Sequence, residues 1–266
     1  MPELRQAPPR ALVSGAASGI GRATVARLLA DGAHVTGLDV DERGLEDRAR
    51  EHAEYGERYV PIVGDVTAAD DRAAALDAAV DADGALDMLV NNAGIFIFRG
   101  ADATQAEWER MFSVNLLAHA QLTGEAVPAL ERSERAAVVN VSSISGHIAQ
   151  AGRWTYNSCK AGLLSLTRCQ ALDLGPLGIR VNSVSPGWIW TEALDADAGG
   201  DRARMEPVWG AFCPLNRCGE PDEVAGSIAF LLGPDAAFVN GTDLAVDGGY
   251  LAAGPEGAAF PASAPR

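Results

Sequence analysis

ALVSGAASGIGRATVARLLAD, residues 11–31, passes from a short apolar run into a glycine-rich loop and then into an amphipathic segment over 19–31. Ala11-Leu12-Val13 reads as a buried strand. Gly15, Gly19 and Gly21 permit a tight turn and a close approach of backbone to a ligand. A helix starting at the loop offers free N–H groups and the positive end of its dipole, which suits a pyrophosphate. Ser18 and Ile20 complete the loop. Its spacing is GxxxGxG rather than GxGxxG, so the generic dinucleotide fingerprint is half met. The position between strand and helix is what points to a phosphate cradle.

Outward from this unit, short apolar runs alternate with helical stretches. Further strands are expected at 34–40, 59–66, 86–91, 137–142, 180–184 and 242–246. Helices are expected at 43–53, 68–81, 104–131, 154–174 and 221–232. This rhythm predicts an α/β fold: a doubly wound, seven-stranded parallel sheet of the Rossmann type, with right-handed crossovers. A single domain over 9–251 accounts for it. Residues 188–216, carrying Trp188, Trp190, Trp209 and Phe212, form too long a connection for an idle turn and read as a lid. Residues 1–8 and 252–266, the latter rich in Ala, Pro and Gly, read as flexible tails.

The 266 residues carry a formal charge of -15. Such a surface repels phosphate backbones and anionic membranes, which argues against nucleic-acid and membrane partners. No apolar run approaches the ~18 residues needed to span a bilayer. The N-terminus lacks an apolar signal-peptide core, and a cytoplasmic location is expected. Cys159, Cys169, Cys213 and Cys218 show no metal spacing, so reduced, buried thiols and no metal are expected.

Asp39 closes the second strand, eighteen residues after Gly21. A carboxylate there can accept hydrogen bonds from both ribose hydroxyls of an adenosine and would repel a 2′-phosphate, which favours NAD over NADP. Asp39 could instead cap the next helix, with Asp41 competing for that place. Arg43 is the nearby cation that could answer a phosphate. A second signal is compositional. Of the chain's 21 basic residues, Lys160 is the single lysine. It lies four residues after Tyr156, on the same face if the segment is a helix. Ser143 precedes Tyr156 by thirteen residues, giving S-x12-Y-x3-K.

With GAASGIG at 15–21, Asp65-Val66, NNAG at 91–94, Asn115, VNVSS at 139–143, YNSCK at 156–160 and PGWIWT at 186–191, the chain resembles the short-chain dehydrogenase/reductases over nearly all of residues 9–250. The resemblance implies hydride transfer between NAD and a secondary alcohol or ketone. Tyrosine's ordinary pKa of about 10 is too high for a base near neutrality, and a nearby ammonium lowers it. Tyr156 is thus the expected general base or acid, with Lys160 lowering its pKa and, by resemblance, binding the nicotinamide ribose. Ser143 would hold the substrate oxygen. Asn115 resembles the residue that holds a water linking the lysine to solvent. By motif, Asp65 and Val66 would flank the adenine, Asn91, Ala93 and Gly94 would line the path past the ribose, and Pro186, Gly187, Ile189 and Thr191 would wall the nicotinamide. The resemblance also implies a homotetramer built on the helices at 104–131 and 154–174 and on a second interface near Gly248-Gly249-Tyr250.

The small-molecule substrate is expected among Phe96, Phe98, Ser145, His147, Gln150, Arg153, Trp154, Trp188 and the lid. Aromatic groups there suit an apolar or ring-shaped alcohol, cyclic or sugar-like. Arg153, Arg202 and Arg204 could instead meet an anionic group. Two other readings stand beside the dehydrogenase: a biosynthetic ketone reductase, and a dinucleotide-binding protein without turnover.

Overall fold

The computed structural model describes residues 7–254. Its apolar runs become seven strands: β1 (Arg10–Ser14), β2 (His34–Asp39), β3 (Tyr59–Val63), β4 (Met88–Asn91), β5 (Ala137–Val141), β6 (Arg180–Pro186) and β7 (Asp243–Val246). They form one sheet in the order β3-β2-β1-β4-β5-β6-β7, and every neighbouring pair is parallel. The chain first walks from β1 out to β3, then returns past β1 to β4. In an open parallel sheet this reversal leaves a crevice beyond the carboxyl ends of the central strands.

Nine α-helices are described: α1 (Gly19–Ala30), α2 (Glu42–Glu51), α3 (Ala69–Ala79), α4 (Gln105–Phe112), α5 (Ala118–Leu130), α6 (Trp154–Leu174), α7 (Glu192–Asp197), α8 (Arg202–Gly210) and α9 (Pro221–Leu232). They cover both faces of the sheet, which is why β5 is buried along its whole length. Successive strand residues point to opposite faces. Val13 and Val139 pack with Val25 and Leu29 of α1 and Val224 and Ile228 of α9. Leu12 and Val138 pack on the other side with Leu122 and Ala126 of α5. Each such fully buried aliphatic side chain contributes roughly 1.5–3 kcal/mol.

Several boundaries differ from the sequence expectation for local reasons. The third strand stops at Val63 rather than Val66, because Asp65 turns the chain by accepting hydrogen bonds from Thr67 N (2.8 Å) and Thr67 Oγ1 (2.7 Å). The helix expected over 104–131 starts with a capping box between Thr104 and Glu107 and is widened by a π-helical stretch, Ser113–Leu117, between α4 and α5. The 188–216 connection holds α7 and α8, capped by Thr191 and Asp201. These helices are too short for periodicity to reveal. Asp41 takes the cap of α2, accepting from Gly44 N at 3.1 Å, so Asp39 is not that cap. Among the cysteines, Cys159, Cys213 and Cys218 are buried and free, whereas Cys169 is free but exposed, against the expectation of burial. No described helix is long and apolar enough to cross a membrane. Residues 1–6 and 255–266, most of the two expected tails, lie outside the described residues.

Candidate active site

A cavity of about 530 Å³ opens beyond the carboxyl ends of the central strands, where the strand order reverses. One end begins at the glycine loop. Gly15 has φ +69° and Gly19 φ +52°, both left-handed. A Cβ on Gly15 would stand 2.7 Å from Asn92 Nδ2, and one on Gly21 would stand 1.9 Å from the Gly15 carbonyl oxygen. Asn92 fastens the loop by donating to the carbonyls of Ser14 and Gly15, each at 3.0 Å. Ser18, the N-cap of α1, makes no side-chain cap, which leaves amides at the helix start for another acceptor. One is engaged from across the cavity: Gly19 N–H donates to Glu192 Oε2 at 2.8 Å, and Arg22 pairs with the other carboxylate oxygen at 2.8 Å. A carboxylate thus sits in the cradle in the manner of a phosphate oxygen. Close-packed glycines and an anion-seating helix end fit a dinucleotide's diphosphate.

Asp39 lies at the same end. Its Oδ2 accepts from Ala17 N at 2.9 Å and its Oδ1 from Asp41 N at 3.0 Å. Each carboxylate oxygen keeps a lone pair for a ligand hydroxyl. Arg43 does not line the cavity; the cation at this end is Arg110, 3.7 Å from Asp65. Burial pushes the Asp65 carboxyl up, but hydrogen bonds from Thr67 and the Arg110 guanidinium together hold it below the usual range.

Ser143, Tyr156 and Lys160 converge on the inner wall. Tyr156 and Lys160 are one turn apart on α6, and Ser143 lies two residues beyond the end of β5. All three are buried, at 8%, 8% and 4% exposure. The loop after β5 can lie against α6 because Gly146 has no side chain: a Cβ there would stand 2.9 Å from the Lys160 carbonyl. The Ser143 hydroxyl acts on the phenol of Tyr156, holding its pKa down, and accepts from Ser145 N at 3.1 Å. Lys160 Nζ donates to the Val141 carbonyl at 2.8 Å and lies 5.7 Å from the centre of the Tyr156 ring. Burial pushes the phenol up to about 12, opposed by Ser143 and by the charge of Arg153. Burial pushes the Lys160 ammonium down to about 8. This differs from the expectation of a lysine-depressed phenol. Here Nζ is turned to the Val141 carbonyl, and desolvation is the largest influence on the phenol.

Asn115 sits in the π-helical stretch and does not line the cavity. Its amide clamps Ile95, accepting from Ile95 N at 2.8 Å and donating to Ile95 O at 2.9 Å. It thereby holds the Ala93–Ile95 wall. One turn on, His119 Nε2 lies 2.8 Å from the Ala93 carbonyl. Burial and the charge of Lys160 lower the His119 pKa to about 3, so the ring is neutral and Nε2 carries the proton. Asn91 is also behind the wall, donating to Thr123 Oγ1 and Asn140 Oδ1, each at 2.8 Å. The rest of the expected ligand wall is brought together: Val66, Ala93, Gly94, Pro186, Gly187, Ile189 and Thr191 all line the cavity.

The other end is aromatic. The Tyr156 ring lies 5.4 Å from Phe96 and 5.5 Å from Phe98, centre to centre. Ser145, Gln150, Arg153 and Trp188 complete this wall. Trp188 stacks on Trp209 at 5.6 Å and packs on Phe212 at 5.5 Å. His147 and Trp154 do not join it. His147 Nε2 is held 2.9 Å from Asp243 Oδ2, beside β7, and Trp154 is 56% exposed. Of the three arginines expected to meet an anion, Arg202 is paired with Glu206 and Glu220, Arg204 with Asp201, and Arg153 alone lines the cavity. Sequence reasoning missed Asn92, Arg110, His119 and Glu192. The first lay inside a quoted motif; the others carry no local pattern, because their roles depend on segments distant in the chain.

A family model described as enoyl-(acyl carrier protein) reductase matches residues 15–251. The cis-4-hydroxycyclohexanecarboxylate dehydrogenase of Sinomonas cyclohexanicum is 42% identical over 245 residues, 91% of this chain and 96% of that protein. The 3beta-hydroxysteroid dehydrogenase 2 of Eggerthella lenta is 34% identical, over 91% of this chain and 94% of its own. Among solved structures, levodione reductase superposes with a TM-score of 0.85 at 31% identity, covering 92% of this chain and 98% of that one.

Proposed function

The chain belongs to the short-chain dehydrogenase/reductase family, whose members here are alcohol–ketone oxidoreductases that bind NAD or NADP, and on that premise we propose that it is an NAD-dependent dehydrogenase of a cyclic secondary alcohol. The observation that carries this reading is the convergence of Ser143, the buried phenol of Tyr156 and, one helical turn on, the chain's single lysine on one wall of the cavity. The names of the two relatives support the ring: one acts on a hydroxycyclohexane, the other on a hydroxysteroid.

Gly15, Ser18, Gly19, Ile20 and Gly21 hold the diphosphate, with Asp39 on the adenosine ribose. Asp65 and Val66 flank the adenine. Ala93 and Gly94 would line the path past the ribose, with Asn91 behind them bonded to Thr123 and Asn140. Pro186, Gly187, Ile189 and Thr191 would wall the nicotinamide, and Lys160 would bind its ribose. Bound in this way, the dinucleotide supplies the acceptor or donor of hydride. Asp39 favours NAD, because a 2′-phosphate would meet its carboxylate at close range.

Ser143 holds the substrate oxygen and stabilises charge that develops on it. Tyr156 takes the hydroxyl proton during oxidation and returns it during reduction. Burial holds the phenol near 12, opposed by the Ser143 hydroxyl and the guanidinium of Arg153; the ammonium of Lys160 would join them in favouring phenolate once Nζ turns from the Val141 carbonyl toward the cofactor. Asn115 keeps the Ala93–Ile95 wall in register with them. The 188–216 connection is the lid, carrying Trp188 over the substrate. Leu117 and Leu172, exposed at 51% and 77%, lie on the face proposed to pair in a homotetramer, and the compartment proposed is the cytoplasm.

The test is a panel of cyclic secondary alcohols with NAD+ and NADP+, followed by the absorbance of the reduced cofactor. Turnover of cyclohexanols with NAD+ is expected. No oxidation of any alcohol, with reduction of the matching ketones, would replace this reading with the ketone reductase; no turnover in either direction would remove both.

A further inference from the structure

Three cations line the cavity, and two are engaged. Arg110 stands 3.7 Å from the carboxylate of Asp65, and Lys160 donates to the Val141 carbonyl at 2.8 Å. The third is Arg153. Its guanidinium carbon lies 4.1 Å from the ring centre of Phe98 and 6.0 Å from that of Trp188. Among the described residues it makes no ion pair, and its guanidinium makes no hydrogen bond. The two aromatic faces orient the cation but satisfy none of its five N–H donors. An arginine kept in a defined position with its donors unspent presents a planar fork of the shape that matches a carboxylate.

Its neighbours support an anion rather than a neutral group. Gln150 lines the same wall, and its amide oxygen already accepts from Ser145 Oγ at 2.7 Å, which leaves the amide NH₂ to donate. The carboxylates that face the cavity are elsewhere. Asp39 and Asp65 lie at the adenosine end, Glu192 is tied to Gly19 and Arg22, and Asp197 is exposed on α7; none pairs with Arg153. The chain as a whole carries -15, so an anionic substrate approaches against the net field and needs a local cation to bind.

The position of Arg153 sets the shape of that substrate. Phe98 touches both the guanidinium and, edge-on at 5.5 Å, the Tyr156 ring. One aromatic ring therefore separates the cation from the reacting phenol. Resting on the reading of this cavity as an alcohol dehydrogenase site, we propose that the substrate is a ring-borne secondary alcohol with a carboxylate on the far side of the ring, and that Arg153 is the residue that receives it. The ring lies against Phe96 and Phe98, the hydroxyl meets Ser143 and Tyr156, and the carboxylate meets Arg153 with Gln150 beside it. Arg153 is then a specificity-determining residue, and it fixes which carbon faces the base.

The experiment compares 4-hydroxycyclohexanecarboxylate with its uncharged amide, using wild type, Arg153→Leu and Arg153→Lys. In wild type, kcat/KM for the acid should exceed that for the amide by at least about tenfold, the scale of one charged hydrogen-bonded contact. The ratio should fall to near one in Arg153→Leu and stay partly raised in Arg153→Lys. A wild type that prefers the amide, or a ratio unmoved in Arg153→Leu, would overturn the proposal while leaving the dehydrogenase intact. In parallel, calorimetry with cyclohexanecarboxylate, which has no hydroxyl, reads binding without chemistry. Its affinity for the folded Arg153→Leu variant should drop by about tenfold or more, whereas that of cyclohexanecarboxamide should not follow. If no alcohol is oxidised at all, the dehydrogenase reading falls, and this binding measurement still decides for or against the carboxylate contact.

Discussion

The two ends of the cavity are built from different materials. The glycine-loop end is made of backbone: amides at the start of α1, the left-handed Gly15 and Gly19, and positions where a methyl group would strike a carbonyl. The substrate end is made of side chains brought from distant segments, with Phe96 and Phe98 after β4, Arg153 before α6 and Trp188 after β6. Backbone recognises what is common to a whole class of dinucleotides. Side chains can be exchanged one at a time without disturbing the sheet, so substrate choice resides there. The proposed reacting groups stand at the seam, Tyr156 and Lys160 on α6 and Ser143 just beyond β5, all three buried.

The comparison can be broken most severely at the seam. Tyr156→Phe keeps the ring packed against Phe96 and Phe98 but removes the proton acceptor, and kcat should fall by roughly 10²–10⁴-fold while calorimetry still shows cofactor binding. Lys160→Arg comes next. The guanidinium is larger and planar, and a displacement of about 1 Å at the reacting centre can cost roughly 10²-fold. The sign with pH follows from the phenol. Held up to about 12, it is protonated at neutrality, so oxidation should accelerate as pH rises and reduction should not. In Lys160→Arg the rising limb should move to higher pH, because a displaced cation favours phenolate less. A pH series of kcat/KM reads both effects.

At the backbone end, Gly21→Ala places a Cβ where only 1.9 Å separates it from the Gly15 carbonyl oxygen. Overpacking of this kind costs about 1–3 kcal/mol, so NAD+ affinity should weaken by roughly 10- to 100-fold with substrate preference unaltered. Asp39→Asn removes charge while keeping an acceptor, and the NAD+/NADP+ ratio of kcat/KM should shrink about tenfold. Smallest of all is Glu192→Gln. The carboxylate on Gly19 N–H competes with a diphosphate for the same amide, so its removal should lower the KM for NAD+ by roughly two- to fivefold, as for a half-exposed charge contact. A higher KM instead would make Glu192 a support of the loop rather than a competitor.

The same contrast explains what was legible in the sequence. The backbone end announced itself, because glycines at 15, 19 and 21 between a strand and a helix are a local pattern, and so are Tyr156 and Lys160 at helical spacing. The sheet followed from apolar runs buried on both faces. The placement of side chains did not follow. His147 and Trp154 are near Ser143 and Tyr156 in sequence, yet one turns to Asp243 on β7 and the other faces solvent. Asn115 clamps Ile95 from the π-helical stretch, a contact between segments twenty residues apart that no local pattern shows. Arg153 could be told from Arg202 and Arg204 only once the carboxylates paired with the other two were in place. A charge pattern in sequence names the ions, but long-range packing assigns their partners.

The burial of Lys160 has a chemical consequence of its own. Its ε-amine is the only one in the chain, and its side chain is 4% exposed. The surface therefore offers acylating, glycating and cross-linking reagents no lysine at all, and the arginines that replace it do not react as amines. Isotope-enriched methylation, carried out slowly enough to reach the interior, would place a single side-chain resonance in the whole protein. That resonance would sit beside the phenol and, once told apart from the methylated α-amine, report its ionisation.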